Sequence, residues 1–482
     1  MRKVIAILAT LLAALVVIAG SAGIAPNATA ASGSSGTLNV LSYNVAGLPE
    51  PLSSAPTPRD TSTTTIGQRL GSYDLVNVQE DFNYHANLYA ADGHRYRTPT
   101  SGGAGIGSGL NTLSGRPYDV DDFERVKWNS CQLDSGDCLT PKGFTFMRLR
   151  LDEGAYVDVY NAHTNAGTNS GDLSSRADNL DQLTSYIASH SAGNAVIVMG
   201  DTNTRYTRVG DTISAFVRDN GLTDAWVKLQ RGGVEPTAGS APLVCDPAAI
   251  TDTCEVVDKI LYRSSRLIAL DATSFHNQHA DFLDSSGAML SDHDPVNVRF
   301  SWSTSPTLRF SDQFGGPHGA YYNDVNGYDV NGYDVNGYDV NGYDVNGYDV
   351  NGYDVNETPG GGTPGGRVSS IFIRTDSRVD QVGANLSTGV TLAHGGSGGT
   401  YASLALADNE YVSSAYLCRA PHDGHTRIFY VKFTTNVGRT LTGGSPTSDC
   451  TTITAPAGWA VLGFHGRSGA EVDKLGLVFA RR

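Results

Sequence analysis

At 482 residues the chain exceeds one ordinary domain, and with 40% hydrophobic residues it has material for two cores. Its formal net charge is −15, and residues 37 to 305 hold 20 Lys plus Arg against 32 Asp plus Glu. That balance argues against a protein that grips nucleic acid through a broad basic face.

The first 31 residues read as a secretory signal peptide. Arg2 and Lys3 form a basic head, "VIAILATLLAALVVIAG" an apolar body, and Ala28-Thr29-Ala30 a small-residue cleavage site. No later stretch has the length and apolarity of a transmembrane helix. A secreted, extracellular protein is expected, and export favours disulfides. The six cysteines pair most simply by position, as Cys131–Cys138, Cys245–Cys254 and Cys418–Cys450.

From Leu38 to Trp302 short β patterns alternate with helical ones, an α/β arrangement. "TLNVLSYN", "DLVNVQE", "YVDVYNAH", "AVIVMGD" and "EVVDKILY" fit strands. "SSRADNLDQLTSYIASH" fits a helix capped at Ser174 or Ser175, with Ala177, Leu180, Leu183 and Ile187 on one face. "LSDHDPVNVRF" opens a last strand with Asp292, His293 and Asp294. These strands carry a metal-binding or proton-handling residue at or beside an end: Asn44, Glu80, His163, Asp201 with Asn203 beyond, Asp258, and Asp292 with His293. Any one of them is more often a turn-former than a ligand. Together they suit phosphoester hydrolysis, in which hard oxygen ligands hold Mg²⁺ or another divalent cation and an Asp–His pair deprotonates water. No Cys/His zinc spacing and no Gly-x-Ser-x-Gly elbow is present.

In this order "SYNVAGLP", "VNVQED", "NAHTNAG", "MGDTN", "DKILY" and "LSDHDPV" resemble the endonuclease/exonuclease/phosphatase superfamily over residues 37–303. The resemblance implies a four-layer α/β/β/α sandwich and metal-dependent phosphoester cleavage. It implies Glu80 as principal metal ligand, with Asn44 nearby and Asp292 in support. It also implies His293, paired with Asp258, as general base, His163 as phosphate stabiliser, and Asp201 with Asn203 as positioners of water and phosphate. "AHTNAG" followed by "SSRADNLDQLTSYI" is similar to the bacterial sphingomyelinase branch. Arg205, in "GDTNTRY", reads equally as a phosphate contact or an exposed salt bridge.

"NGYDV" then repeats six times from Asn326 to Val355, and "ETPGGGTPGG" follows, a low-complexity stretch. The tail reads as all-β. "HGGSGGTYASLALADNEYV", "RIFYVKFTTNVGRT" and "VLGFHGRSGAEVDKLGLVF" resemble jacalin-type lectins, which implies a β-prism. The resemblance also makes Gly469-Ala470-Glu471-Val472-Asp473 a sugar-binding loop. "RFSDQFGGPHGAYYNDV" looks like the first strand and Gly-Gly loop of the same fold, placing Gly315 and Gly316 on the sugar-site rim. The lectin would then span 308–482, with the repeat an insertion at 326–366.

The sequence thus leads to a secreted divalent-metal-dependent phosphodiesterase, sphingomyelinase-like, targeted to glycans by its lectin module. Its phosphoester substrate would be a phospholipid, with peripheral membrane contact, or a nucleic acid. A secreted DNase-like nuclease and a carbohydrate-binding protein with an inactive enzyme domain are the alternatives.

Overall fold

The computed structural model describes residues 33–102, 107–133, 136–326 and 367–482. The expected signal peptide and the repeat from Gly327 onward lie outside the described residues.

Two six-stranded sheets build the N-terminal half. In the first, Ser35–Asn44 lies parallel to Leu75–Gln79 and antiparallel to Val296–Thr304. In the second, Ala155–His163 lies parallel to Val196–Asp201, which pairs antiparallel with Asp258–Arg263. Leu75–Gln79 and Val196–Asp201, one strand of each central pair, are buried along their length, as their near-continuous apolar runs require. Leu38, Val40 and Leu75 from the first sheet share a core with Phe146, Val159 and Val198 from the second. Leu41, Tyr43 and Val76 face the other way, onto Ile66 of the helix Arg59–Arg69. Helix Ser170–His190 packs Leu180, Leu183 and Ile187 on the second sheet. The order helix, sheet, sheet, helix is the four-layer α/β/β/α sandwich.

That long helix begins earlier than its apolar spacing indicates. Asn169 is its N-cap, and Asn169 and Asp172 form a reciprocal capping box, so the first turn is fixed by polar groups. The strand around Asp258 begins at Asp258 itself, after Val256 and Val257.

The C-terminal half is a β-prism of one five-stranded and two four-stranded sheets around a core that includes Ile373, Leu417, Phe433 and Leu477. Leu308–Phe310, Phe314–Gly315 and Ala320–Asn323 pair with the last two strands of the chain, Trp459–Ser468 and Val472–Arg481. All three disulfides form in the expected pairing.

The two halves are docked through buried charge. Asp122, fully buried, accepts a 2.7 Å hydrogen bond from Arg467 Nε and lies 3.4 Å from Arg148 and 3.8 Å from Lys474. Lys474 also bonds Asp119 at 2.8 Å, and Arg148 grips Asp158 and stacks on Tyr321. Beside them His465 is 1% exposed, with its ring stacked on Phe310 at 4.0 Å. Its Nε2–H donates to Ser311 O at 3.1 Å, and its Nδ1 accepts from Gln313 at 2.8 Å, so the ring is neutral. Burial, helped by the Arg148 charge, pushes its pKa down to about 3, against the opposing pull of Ser311 O, Asp312 and Asp122.

A histidine whose folded pKa lies below its unfolded value of about 6.5 takes up its proton preferentially on unfolding. Its contribution is therefore complete above pH 6.5 and is lost as pH falls toward 3. Thermal melts should show the midpoint dropping steadily from pH 6.5 to 4.5, before most carboxylates titrate. His465→Gln, which keeps a donor and an acceptor, should flatten that drop. An unchanged slope in the variant would place the acid sensitivity elsewhere.

Candidate active site

Strand register assembles the site. His163, Asp201 and Asp258 are direct neighbours across three adjacent strands, so their side chains form a row at one edge of the second sheet. From the first sheet, Asn44 is the last residue of its strand, in register with Gln79, and Glu80 follows Gln79. Glu80 has a left-handed backbone (φ 56°), an unfavourable conformation for a glutamate. It is held by hydrogen bonds from Gly47 N and Phe82 N to Glu80 O, both 2.9 Å.

The Asn44 amide joins the two sheets. Its Nδ2 donates to Glu80 Oε1 and to Asp201 Oδ2, both at 3.1 Å, while its Oδ1 accepts from Ala46 N. Asn44 therefore presents N–H rather than oxygen to the site, and the hard oxygen donors are Glu80 and Asp201. His163 Nε2 lies 3.2 Å from Asp201 Oδ2 and 4.0 Å from Glu80 Oε1. His293 Nδ1–H donates to Asp258 Oδ2 at 2.9 Å, and its Nε2 lies 3.7 Å from Asp201 Oδ2.

Asn203, also left-handed (φ 51°), donates from its backbone to Asp201 Oδ1 at 3.0 Å and from its side chain to Thr164 O at 3.3 Å. Asp292 is exposed and receives Ser291 Oγ at 3.4 Å, so it stands at the rim rather than in the row. Arg205 places its guanidinium on Glu255 O at 2.6 Å, a backbone contact rather than a salt bridge. With Asn203, Asp258, Asp292 and His293 it lines a cleft of about 370 Å³. A larger groove of about 840 Å³, lined by Arg218, Lys228, Arg263 and Asp271, lies toward the far end of the Asp258–Arg263 strand and holds none of these residues.

Burial alone would favour neutral Asp201, but the His293 and His163 imidazoles outweigh it and hold the carboxyl far below the usual carboxylate range. Burial disfavours the His293 imidazolium, yet Asp258 and Asp201 together raise its pKa well above the ordinary value. Asp258 is raised by burial, with Asp201 adding to the rise, despite the opposing histidine. The two carboxylates therefore make His293 a strong proton acceptor.

Asp201, Asp258 and His293 bring one ligand atom each within 4.8 Å of one another. With Glu80 they form a donor set rich in carboxylate oxygen, which fits a hard divalent cation. Asp258 Oδ1 and His163 Nδ1 are buried without hydrogen-bond partners, so the row keeps spare ligating and hydrogen-bonding capacity.

Several contributors have no motif. Trp128 Nε1 donates to His163 O at 2.6 Å. Lys142, paired with Asp137, lies 3.4 Å from Thr164 O and lowers Asp201 further. The Cys131–Cys138 loop leans on the segment after His163 through Gln132 N to Asn165 and Ala166 N to Asp137. Ser291 Oγ donates to Asn44 O at 2.6 Å. Arg59 ties the loops behind Asn44 and ahead of Asp292.

In the prism, Asp473 is 1% exposed and accepts from Arg427 at 2.9 Å, and Glu471 is paired with Arg378 and Arg427. Gly316 N donates to Asp473 O at 2.8 Å, which brings the Gly315–Gly316 turn against the 469–473 loop.

Comparison with known proteins matches residues 57–234 to endonuclease/exonuclease/phosphatase family 2 and residues 311–478 to the jacalin-like lectin domain. A sphingomyelinase of Mycobacterium bovis is 43% identical over 271 residues, 55% of this chain and 52% of that protein. The chain thus spans about half the length of the curated relatives it matches. Among solved structures, sphingomyelinase C from Streptomyces griseocarneus is 20% identical over 55% of this chain and 99% of its own, with a TM-score of 0.38. A Malaysian banana lectin is 21% identical over 36% and 99%, with a TM-score of 0.26. The chain therefore carries an endonuclease/exonuclease/phosphatase-family domain, sphingomyelinase-like in sequence, joined to a jacalin-like lectin domain.

Proposed function

We propose that the protein is a secreted phosphodiesterase that cleaves a phospholipid headgroup ester, with sphingomyelin as the first candidate, and that its lectin domain binds carbohydrate on the target surface. The observation that carries this reading is the row His163–Asp201–Asp258–His293 meeting Glu80 across the Asn44 bridge. The similarity to mycobacterial sphingomyelinases supports the substrate class. The three disulfides fit an extracellular location.

Water attacks phosphorus, the ester P–O bond breaks, one water proton must leave to a base, and the departing alkoxide takes up a proton from solvent. Asp258 holds His293 through Nδ1, so the free Nε2 faces the reacting site and takes that proton. His163, fixed by Asp201 and by its strand, donates to a phosphoryl oxygen as charge builds there. Asn203 lines the cleft where that oxygen would lie. A divalent cation such as Mg²⁺, held by Glu80 and a neighbouring carboxylate with Asp292 at the rim, would neutralise phosphate charge.

Sphingomyelin vesicles, duplex DNA and an inositol polyphosphate, each offered with Mg²⁺ and with EDTA, test the reading. Release of phosphocholine that EDTA abolishes is expected. Cleavage of DNA in preference to the vesicles would replace it with the nuclease reading, and no turnover of any would leave the lectin as the working part.

A further inference from the structure

Three arginines meet around Asp211, in the turn that follows Asp201, and two of them are neutralised there. Arg176 donates to Asp211 Oδ1 from Nε and Nη2 at 2.9 and 2.6 Å, and Arg208 donates to Asp211 Oδ2 at 3.0 Å. The third, Arg205, gives that carboxylate only its backbone N–H, at 2.9 Å. Its other acidic neighbour is engaged as well. Glu255 is 1% exposed, and its carboxylate accepts from Tyr206 N at 2.5 Å and from Thr207 Oγ1 at 2.6 Å. It therefore offers the Arg205 guanidinium only its main-chain oxygen, at 2.6 Å from Nη1. Among the described residues no carboxylate forms an ion pair with Arg205, whereas Arg176 and Arg208 each have one.

The edge left free is the one that suits an oxyanion. With Nη1 held by Glu255 O, Nε–H and one Nη2–H remain side by side, the paired donors with which arginine grips phosphate. Neither atom bonds the protein among the described residues, and neither is sealed from solvent. Arg205 lines the cleft beside Asn203, Asp258 and His293, and among the described lining residues it is the one Lys or Arg. The acids there are Glu255, Asp258, Asp292 and Asp294. A guanidinium stays protonated, and a half-buried charge without a counter-ion is costly unless an anion offsets it. The segment is also fixed in advance. Thr202 N and Oγ1 both donate to Val257 O, at 3.2 and 2.7 Å, so the turn lies along the chain that leads to Asp258. The Cys245–Cys254 bridge ties the residue just before Glu255.

We propose that Arg205 is a further catalytic residue, whose Nε–Nη2 edge grips the non-bridging oxygens of the substrate phosphodiester and holds them more tightly as charge builds in the transition state. The proposal rests on the reading of this cleft as a phosphodiesterase site. His163 meets the phosphate from the Asp201 side of the row and Arg205 from the Asp258 side. Phosphorus is thereby held beside the water that His293 deprotonates. The guanidinium keeps its own protons throughout and acts only through charge and hydrogen bonds.

The test compares wild type, Arg205→Lys and Arg205→Ala on sphingomyelin vesicles in saturating Mg²⁺, with inorganic phosphate as a competing anion. Arg205→Ala should lower kcat/KM about 10²–10³-fold, as loss of an oxyanion donor does. It should also weaken inhibition by phosphate about tenfold, the weight of a charge-assisted hydrogen bond. Arg205→Lys keeps the charge without the fork and should recover part of both. Added guanidinium ion at low concentration should restore part of the activity of Arg205→Ala and none of that of His293→Ala. A merely structural contact with Glu255 would give no such rescue. Should Arg205→Ala melt far below wild type, Arg205→Lys decides, through a lowered kcat/KM and weakened phosphate inhibition at an unchanged melting temperature. Lost activity with wild-type phosphate inhibition and no rescue would make Arg205 a strut and overturn the proposal. Active wild type beside equally active Arg205 variants would overturn it alone and leave the phosphodiesterase reading standing. If wild type cleaves no phosphodiester, both fall.

Discussion

His293→Ala should lower kcat toward the hydrolysed phosphodiester by about 10²–10⁴-fold, the usual contribution of a positioned acid–base group. KM should change little, because the imidazole meets substrate only through the water it deprotonates. The measurement is a kcat and KM determination on phosphocholine-ester vesicles in saturating Mg²⁺, with melting temperature as a control for folding. Asp258→Asn should give a smaller loss, since it leaves the imidazole in place but removes the charge that orients Nδ1–H at 2.9 Å. Full activity in His293→Ala would move the base elsewhere, and Asp201, held ionised beside His163, would be the next group to test.

Arg59→Met should be the costliest single substitution outside the row itself. Arg59 is 1% exposed, and its guanidinium makes five hydrogen bonds, all to backbone carbonyls: Val45, Ala46, Thr57 and, twice, Leu290. No carboxylate pairs with it among the described residues, and burial lowers its pKa without removing its charge. Methionine fills the volume and leaves three carbonyls, those of Val45, Thr57 and Leu290, without this partner, since Ser53 Oγ still bonds Ala46 O at 3.0 Å. At about 1–3 kcal/mol for each buried group left without a partner, partly relieved by water, the loss should be about 4 kcal/mol. Urea unfolding measures it. Activity should fall as well, because Val45 and Ala46 follow Asn44, and Leu290 comes just before Asp292 and His293. Arg59→Lys should recover part of both effects. Wild-type stability in Arg59→Met would mean that water replaces the guanidinium without cost.

Sequence pattern shows the strands and their polar ends because alternation and chemistry both have letters. The row came from strand ends that the apolar runs already delimit, and its order across the sheet follows from register. What had no letter was a backbone partner. Nothing in "TPRDTSTTT" distinguishes an arginine that grips four carbonyls from one in solvent. The cap of the long helix was displaced for a related reason. Its first turn is held by Asn169 and Asp172, and the apolar spacing begins only at Ala177. Asn44 has the expected place but the opposite polarity, because the Ala46 amide claims its oxygen.

The Asp122 junction decides how the two activities can cooperate. Arg467 and Lys474, which bind Asp122 and Asp119, flank the 469–473 loop on both sides, so that loop is bolted to the first domain rather than strung from it. A flexible tether would let the enzyme sweep every ester within reach, with efficiency falling smoothly as the chain lengthens. A bolted pair has one working height and one facing direction. On the proposed function such a protein would measure its target: a surface whose glycans stand at the right distance from its phosphoesters would be both held and cut, and one whose glycans stand too tall would be held out of reach.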